Sequence, residues 1–363
     1  MTTFPPPDFD APPLGAAPEA QFEPAPGHGV LPEGFFATTN LPTYLKRHGR
    51  WHLPREPRMD GALVLDKEGE LWVKEPRRVR AGEPVAMGLA EDGSAGIYVY
   101  AAPFLPAPGE AFGFMQTPVS REKPIAYASM AARLVEERER GGYPLWVTGP
   151  ALVHARARGD LVWFIENGFV GALLAGNAVA VHDIEAAFYG TSLGMNAQGA
   201  MVAGGHSLHL RAINRIRAEG SIERAVQSGM LKEGVLYACV KHKVPYVLCG
   251  SIRDDGPLPG VYSDALAAQD AMKAHTTRAT LAVLIASALH AIAVGNMLPA
   301  YVPEADGSLR VLPTFCVDSS EFVVNKLKDR GTREAVGVVT NAQDYLQLLR
   351  LHIERALAGS TPA

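Results

Sequence analysis

Beyond about residue 118, apolar runs of strand length alternate with stretches of helical period. The runs "PLWVTG" (144–149), "GALLAG" (171–176), "VPYVLCG" (244–250), "LAVLIAS" (281–287), "VLPTFCVD" (311–318) and "AVGVVT" (335–340) are apolar almost throughout. A strand with one wet face alternates apolar and polar residues, so runs without alternation predict strands buried on both faces. Between them "YASMAARLVEERER", "ARGDLVWFIENG", "LHLRAINRIRAEG", "SDALAAQDAMKAH", "SEFVVNKLKDRG" and "NAQDYLQLLRLHIERAL" carry the spacing of surface helices. The pattern predicts an α/β domain over residues 118–363, with a doubly wound, mostly parallel six-stranded sheet.

Ahead of it the rhythm is different. Residues 31–117 hold short alternating runs with glycine turns and predict a small β-rich module, in which "LDKEGELWV" reads as a hairpin. Pro103, Pro106 and Pro108 mark a linker. Residues 1–30 are rich in Pro, Ala and Gly, with Phe4, Phe9 and Phe22 among the few residues to bury, and are expected to form a disordered tail outside the fold. The start has neither a basic nor an apolar segment of a secretory signal. The longest apolar stretch, "TLAVLIASALHAIAVGNMLPAYV", is broken by His290, Asn296 and Pro299 and reads as a buried strand followed by a functional loop, not a membrane span.

Composition narrows the function. With 47% hydrophobic residues, the 363-residue chain can fill a real core. Its 34 basic and 38 acidic residues are interspersed and leave a net charge of −4, with no basic tract to neutralise a row of phosphates, so nucleic acid is not an expected partner. Cys239, Cys249 and Cys316 are too scattered for a disulfide framework or a zinc site and read as buried thiols of a cytoplasmic protein. His206 and His209 are three apart, but no carboxylate or thiol follows at ligand spacing, and no metal is expected.

In a doubly wound sheet, ligands bind beyond the carboxyl ends of the strands, near the point where strand order reverses. The strand exits are "TGPALVHA", "AGNAVAVHDIE", "CGSIRDDGPLP", "ASALHAIAVGNMLP" and "VDSSE". They supply Asn177, His182, Asp183, Arg253, Asp254, Asp255, His290, Asn296 and Asp318. Gly149, Gly176 and Gly250 either allow tight exits or let a ligand approach the backbone. The first exit lacks the G-x-G-x-x-G of ordinary dinucleotide sites. Asp318 can bind a ribose or cap the helix that follows; Asp183 can likewise cap "IEAAFYG". Arg211 and Arg215, four apart, can hold a substrate carboxylate or form a solvated face. Arg253, Asp254 and Asp255, braced by Pro257 and Pro259, suit the binding of an amino group and the movement of protons.

The blocks "LPEGFFATTNLPTYL", "LLAGNAVAVHDIEAAFYGTSLGM", "GGHSLHLRAINRI", "VPYVLCGSIRDDGPLP", "AQDAM", "AIAVGNMLP" and "CVDSSEFVVNKLKDRG" resemble the NAD-binding ornithine cyclodeaminase family of the LOR/SDH type. The resemblance runs from about residue 31 to 350. It implies a sheet like that of deoxyhypusine-synthase-like NAD folds, NAD as cofactor, and conversion of a diamino acid, ornithine to proline, with release of ammonia. A hydride leaves the α-carbon and later returns, the distal amine attacks the imine formed, and no net redox change remains. On this basis Asp254 or Asp255 handles the amine and its protons, Arg211 or Arg253 holds the carboxylate, and His206 is a reserve acid or base. Asn214, His182 and Asp183 complete the expected substrate contacts; Gly149, Gly176, Asn177, Ser287, Asn296 and Asp318 are the expected cofactor contacts. A homo-oligomer is expected. The chain departs from the family in Ser207 and Leu208, where a polar pair is usual, in "DSSEF" at the end of "VLPTFCVD", where Asn-Pro usually follows the Asp, and in lacking a region ahead of "LPEGFF". Two other functions stay open: a net NAD(P)-dependent amino or imino acid dehydrogenase, and, from the changed "SLHL" stretch and the missing region, a non-catalytic NAD-binding sensor.

Overall fold

Every residue of Pro144–Thr148, Ala172–Gly176 and Leu281–Ile285 is buried, as uninterrupted apolar strands require when helices cover both faces of a sheet. The computed structural model describes residues 3–102, 125–196, 198–252, 254, 256–328 and 335–359. The described residues fall into two units, one of 3–102 with 296–312, the other of 125–295 with 313–328 and 335–359.

The first unit is built from short antiparallel strands: β1 (Thr3–Phe4), β2 (Phe22–Pro24), β3 (Thr43–Arg47), β4 (Arg50–His52), β5 (Ala62–Leu65), β6 (Leu71–Lys74), β7 (Pro84–Ala86) and β8 (Ile97–Val99). The predicted hairpin "LDKEGELWV" forms between β5 and β6, with Leu65 opposite Leu71. Residues 3–30 correct the expectation of a tail outside the fold. Thr3 and Phe4 pair with Arg310 and Leu309, Phe22 pairs with Ala86, and Leu14 and Ala25 are buried. Composition weighed side chains alone, whereas these segments are held by backbone hydrogen bonds to sheet edges. The prolines of the expected linker, and the boundary near residue 118, lie outside the described residues.

The second unit follows a strand–helix rhythm. In chain order it contains α1 (Tyr127–Glu139), β9 (Pro144–Thr148), α2 (Ala151–His154), α3 (Arg158–Glu166), β10 (Ala172–Gly176), α4 (Asn177–Tyr189), α5 (Leu208–Glu219), α6 (Ile222–Gln227), α7 (Val235–Lys241), β11 (Tyr246–Cys249), α8 (Ala265–Thr276), β12 (Leu281–Ile285) and α9 (Ala288–Met297). The strands β13 (Tyr301–Pro303) and β14 (Leu309–Val311) pair with each other, and β14 pairs with β1, so this late segment belongs with the first unit. Next come β15 (Thr314–Asp318), α10 (Glu321–Lys328), β16 (Ala335–Val339) and α11 (Ala342–Gly359).

Among the described residues the large sheet has six strands, all parallel, in the order β11-β10-β9-β12-β15-β16. The chain steps outward from β9 through β10 to β11, then returns to the other side of β9 with β12. Strand order therefore reverses between β9 and β12, and in such sheets the C-terminal rim at that junction is where ligands bind. Trp146, Phe164, Phe169, Phe315 and Tyr345 are fully buried in the core beneath it.

Two strand exits differ from expectation. The stretch after Gly176 is the first turn of α4, not a loop, and "ALHAIAVGNM" is the helix α9. Both stretches are apolar enough to bury most of a helix, so they lack the one-sided stripe by which an amphipathic helix is read.

Candidate functional site

The crevice is defined by unusually close backbone contacts. A Cβ added at Gly149 would lie 1.6 Å from the carbonyl oxygen of Ala286, so the exits of β9 and β12 touch in a way that only glycine permits. Gly149 N also donates to Ile285 O at 3.0 Å. Ala286 holds φ +54, a left-handed conformation that a Cβ-bearing residue adopts at a cost. Such strain persists where surrounding structure over-determines it, and here it sits at the reversal of strand order.

Three groups at this rim fit a dinucleotide. Thr148 Oγ1, buried at the end of β9, has no hydrogen-bond partner among the described residues, and an orphan polar atom beside an opening is suited to a ligand. Ser287 follows Ala286 directly, and α4 and α9 begin at the rim with their free N–H groups, where phosphate binds favourably.

The exit after β11 closes one side. Gly250 N donates to Tyr262 O (2.8 Å) and Tyr262 N to Leu248 O (2.9 Å), pinning both ends of the loop. Asn177 Oδ1 accepts from Leu258 N at 3.0 Å, and the Arg217 guanidinium donates to Pro257 O from Nη2 (2.9 Å) and Nε (3.3 Å). Within this frame Asp254 Oδ2 accepts from Ser251 N at 2.7 Å, leaving the carboxylate at the rim and partly exposed. Arg253 and Asp255, named from the sequence beside it, lie outside the described residues.

His290, in the first turn of α9, reaches the same place from the opposite side. A Cβ on Gly176 would stand 2.7 Å from its Cε1, so the imidazole spans from the exit of β12, past β9, to the exit of β10. Burial pushes its pKa below the ordinary imidazole value, while the charge of Asp254 acts in the opposite sense. Cys249, at the end of β11, is buried and its thiol is pushed up to about 11 by burial, so it is a neutral wall and not a nucleophile.

The remaining expected residues divide. Gly149, Gly176, Asn177, Ser287 and Asp318 all stand at strand exits on this rim; Asp318 Oδ1 accepts from Ser320 N at 2.9 Å, a turn that leads into α10 at Glu321 and is not the helix cap weighed from the sequence. Asn296 does not stand at an exit. It is eight residues along α9 from Ala288, about 12 Å at helical rise. Asp183 is also displaced. It is fully buried in α4, its Oδ1 accepting from Arg158 Nε (2.6 Å) and Val235 N (2.9 Å) and its Oδ2 from Leu236 N (2.9 Å). Its acceptors hold the N-terminus of α7, so it caps a helix, though not its own.

His182 also points away from solvent. Its Nδ1 lies 3.3 Å from Glu185 Oε2, and its ring lies 4.6 Å from that of His154, whose Nδ1 meets Ser192 Oγ at 2.7 Å. Glu185 is fully buried and accepts from Thr191 Oγ1, Leu193 N and Gly194 N as well. His206 lies in a 3-10 turn (Gly205–Ser207) and is exposed, as are Arg211 and Asn214 on α5. The bond made by Arg211 is to Ser207 Oγ at 3.2 Å. Among the described residues no hydrogen bond or ion pair joins these three to Asp254 or His290.

Sequence reasoning passed over Arg217 as one of several arginines on α5, and left His290 among the exits without a role. A signal existed for His290 alone: a histidine inside an otherwise apolar run at a strand exit.

Comparison with known proteins identifies the family and matches the fold. Residues 128–349 match the family model "Arginine dihydrolase ArgZ-like, C-terminal, Rossmann fold", and residues 42–129 match its "first region". An ornithine cyclodeaminase from Methanopyrus kandleri is 44% identical over 342 residues, covering 93% of this chain and 79% of that protein. A solved LOR/SDH protein from Methanococcus maripaludis superimposes with TM-score 0.81 at 39% identity, over 94% of this chain and 98% of that one. The ternary complex of AgrE with ornithine and NAD+ aligns with TM-score 0.61 at 36% identity, over 95% of this chain and 47% of AgrE.

Proposed function

Because the chain belongs to the ArgZ-like C-terminal family that includes the archaeal ornithine cyclodeaminases, we propose that it converts ornithine to proline and ammonia with NAD. The observation that carries this reading is the rim crevice between β9 and β12. The rim carries the unpartnered hydroxyl of Thr148 at the end of β9, and His290 reaches across to Gly176 with the charge of Asp254 acting on it. NAD, when bound, accepts a hydride from the substrate and returns it, so the chemistry leaves no net oxidation.

The chain must hold the substrate and its protons. Gly149, Ser287, Gly176, Asn177 and Asp318 are assigned to the cofactor side of the rim, with Thr148 added from the structure. Asp254 and Asp255 are assigned to the amino group, and Arg253 or Arg211 to the carboxylate. Wrapping the imine stage in a crevice with an apolar floor, provided by β9 and β12, slows its hydrolysis by water. Ornithine is thus the proposed diamino acid. We also assign the enzyme to the cytoplasm, in line with three free buried cysteines, and expect a homo-oligomer; no helix among the described residues is long and apolar enough to cross a membrane.

The test is direct. Purified protein with ornithine and NAD well below the substrate concentration should yield proline and ammonia in equal amounts, followed by mass spectrometry, with no build-up of reduced cofactor. Net accumulation of NADH identifies a dehydrogenase instead. Saturable NAD binding without ammonia from ornithine, lysine or diaminobutyrate identifies a sensor.

A further inference from the structure

We propose that His290 is the proton carrier of the reaction, taking a proton from the substrate's α-ammonium group and giving it to the departing ammonia. The inference rests on the ornithine reading above and adds a residue that the family resemblance did not assign.

The geometry comes first. His290 begins on α9 at the exit of β12 and ends against Gly176 at the exit of β10, so its ring crosses the junction where strand order reverses. Any ligand laid across that junction meets it. A side chain in place of the Gly176 hydrogen would displace the ring, so glycine there leaves room for imidazole and not only for a turn. The groups facing it are few. Asp254 from the β11 exit is the charged one among the described residues, Cys249 contributes a backbone oxygen near Gly176 and a protonated thiol, and Gly176 itself is bare.

The chemistry follows from basicity. A hydride cannot leave the α-carbon while the attached nitrogen is an ammonium, because no lone pair is free to form the C=N bond. One N–H bond must break first. Imidazole is a stronger base than a carboxylate by roughly two to three pKa units, and burial keeps His290 neutral near pH 7, ready to accept. The proton passes to the ring, and the resulting imidazolium lies beside Asp254, whose charge stabilises it. The distal ammonium loses a proton to solvent, attacks the imine carbon and closes the ring, and the ring nitrogen sheds a second proton. His290 returns its proton to the original amine, which then leaves as ammonia with the electron pair of its C–N bond, and the imidazole is neutral again; the two solvent protons end on ammonium and on the proline nitrogen. The balance closes as ornithine cation to neutral proline plus ammonium, with no further reactant.

The test uses the whole protein with two readouts. In the first, histidine-labelled protein is titrated by NMR with NAD bound and no substrate. The His290 signal, assigned by its loss in His290→Gln, should titrate below the ordinary imidazole range and move lower still in Asp254→Asn. In the second, kcat/KM for ornithine should fall in His290→Gln by about 10²- to 10³-fold, the usual share of an acid–base group. The acidic limb of the wild-type pH profile should vanish with it, while NAD affinity by fluorescence titration stays within about threefold, less than one hydrogen bond is worth. His290→Asn serves if the glutamine variant does not fold. Full turnover with an unchanged acidic limb in either variant, or a His290 signal insensitive to Asp254→Asn, overturns the proton role and leaves the ornithine reading intact. Absence of proline and ammonia from the wild-type protein overturns the ornithine reading instead.

Discussion

Asp183 and Asp254, both read from the sequence as candidates for chemistry, sit in opposite physical settings. In α4, Asp183 and its neighbour Glu185 have no exposed surface and spend their oxygens on Arg158, on the first N–H groups of α7, on Thr191 and on the turn at Leu193 and Gly194. Burial works against ionisation of Glu185, yet these bonds and His182 outweigh it and hold its pKa below the ordinary value. At the rim, among the described residues, the Asp254 carboxylate accepts one short bond from its own turn and is partly exposed. The difference teaches that a saturated carboxylate is a fastening and an under-used one beside an imidazole is a reagent.

The comparison is broken or sharpened by substitution, and the largest effect belongs to the fastening. Asp183→Ala strands two backbone donors and removes one of the two carboxylates that pair with Arg158, leaving Glu233, and should destabilise the fold by about 3 kcal/mol in urea titration. If it costs no more stability than Asp254→Asn, the distinction collapses. Next comes Gly149→Ala. With 1.6 Å available to its methyl, the two central exits must part, at a cost near 3 kcal/mol in the same titration and with weakened NAD binding by fluorescence.

Asp254→Asn should invert the pattern, lowering kcat/KM for ornithine by about 10²-fold while the urea midpoint shifts by less than about 0.5 kcal/mol. Smaller again is Arg217→Ala. Losing the two bonds to Pro257 O loosens the β11 exit, worth about 1 kcal/mol, and should appear as a roughly fivefold rise in KM.

The smallest effect is on pH. Burial depresses the pKa of His154, His275 and His290, with His182 adding to it at His154, Arg278 at His275, and Asp254 opposing it at His290. Unfolded histidines take up protons as pH falls through about 6.5, while the folded ones resist. Stability is therefore present above that pH and lost as pH falls below it, toward the lowered folded values. The urea midpoint should decline between pH 7.5 and 5.5, by no more than about 1.4 kcal/mol per pH unit for each histidine. His290→Gln should make that decline shallower.

The sequence by itself determined the α/β class, the strands and their parallel pairing, because apolar runs without alternation can be satisfied only between two helical layers. It also marked the rim, since glycine and charge concentrate where strands end. It did not reveal that the helix read over "IEAAFYG" already begins at Asn177, nor that residues 288–297 are a helix: inside a core a helix loses the polar face by which it is recognised. Once 177–189 is helical, neighbours in sequence turn about 100° apart, which sends Asp183 to α7 while Asn177 stays with the β11 exit. Likewise β1 and β2 were hidden in a Pro-rich stretch, because what holds them is backbone pairing with Arg310 and Ala86, distant in sequence and visible only in space. The meeting of Asp254, Gly176 and His290 was of the same kind. Each residue was legible alone, but their convergence depends on β9 lying between β10 and β12, an ordering that tertiary packing decides and no local pattern encodes.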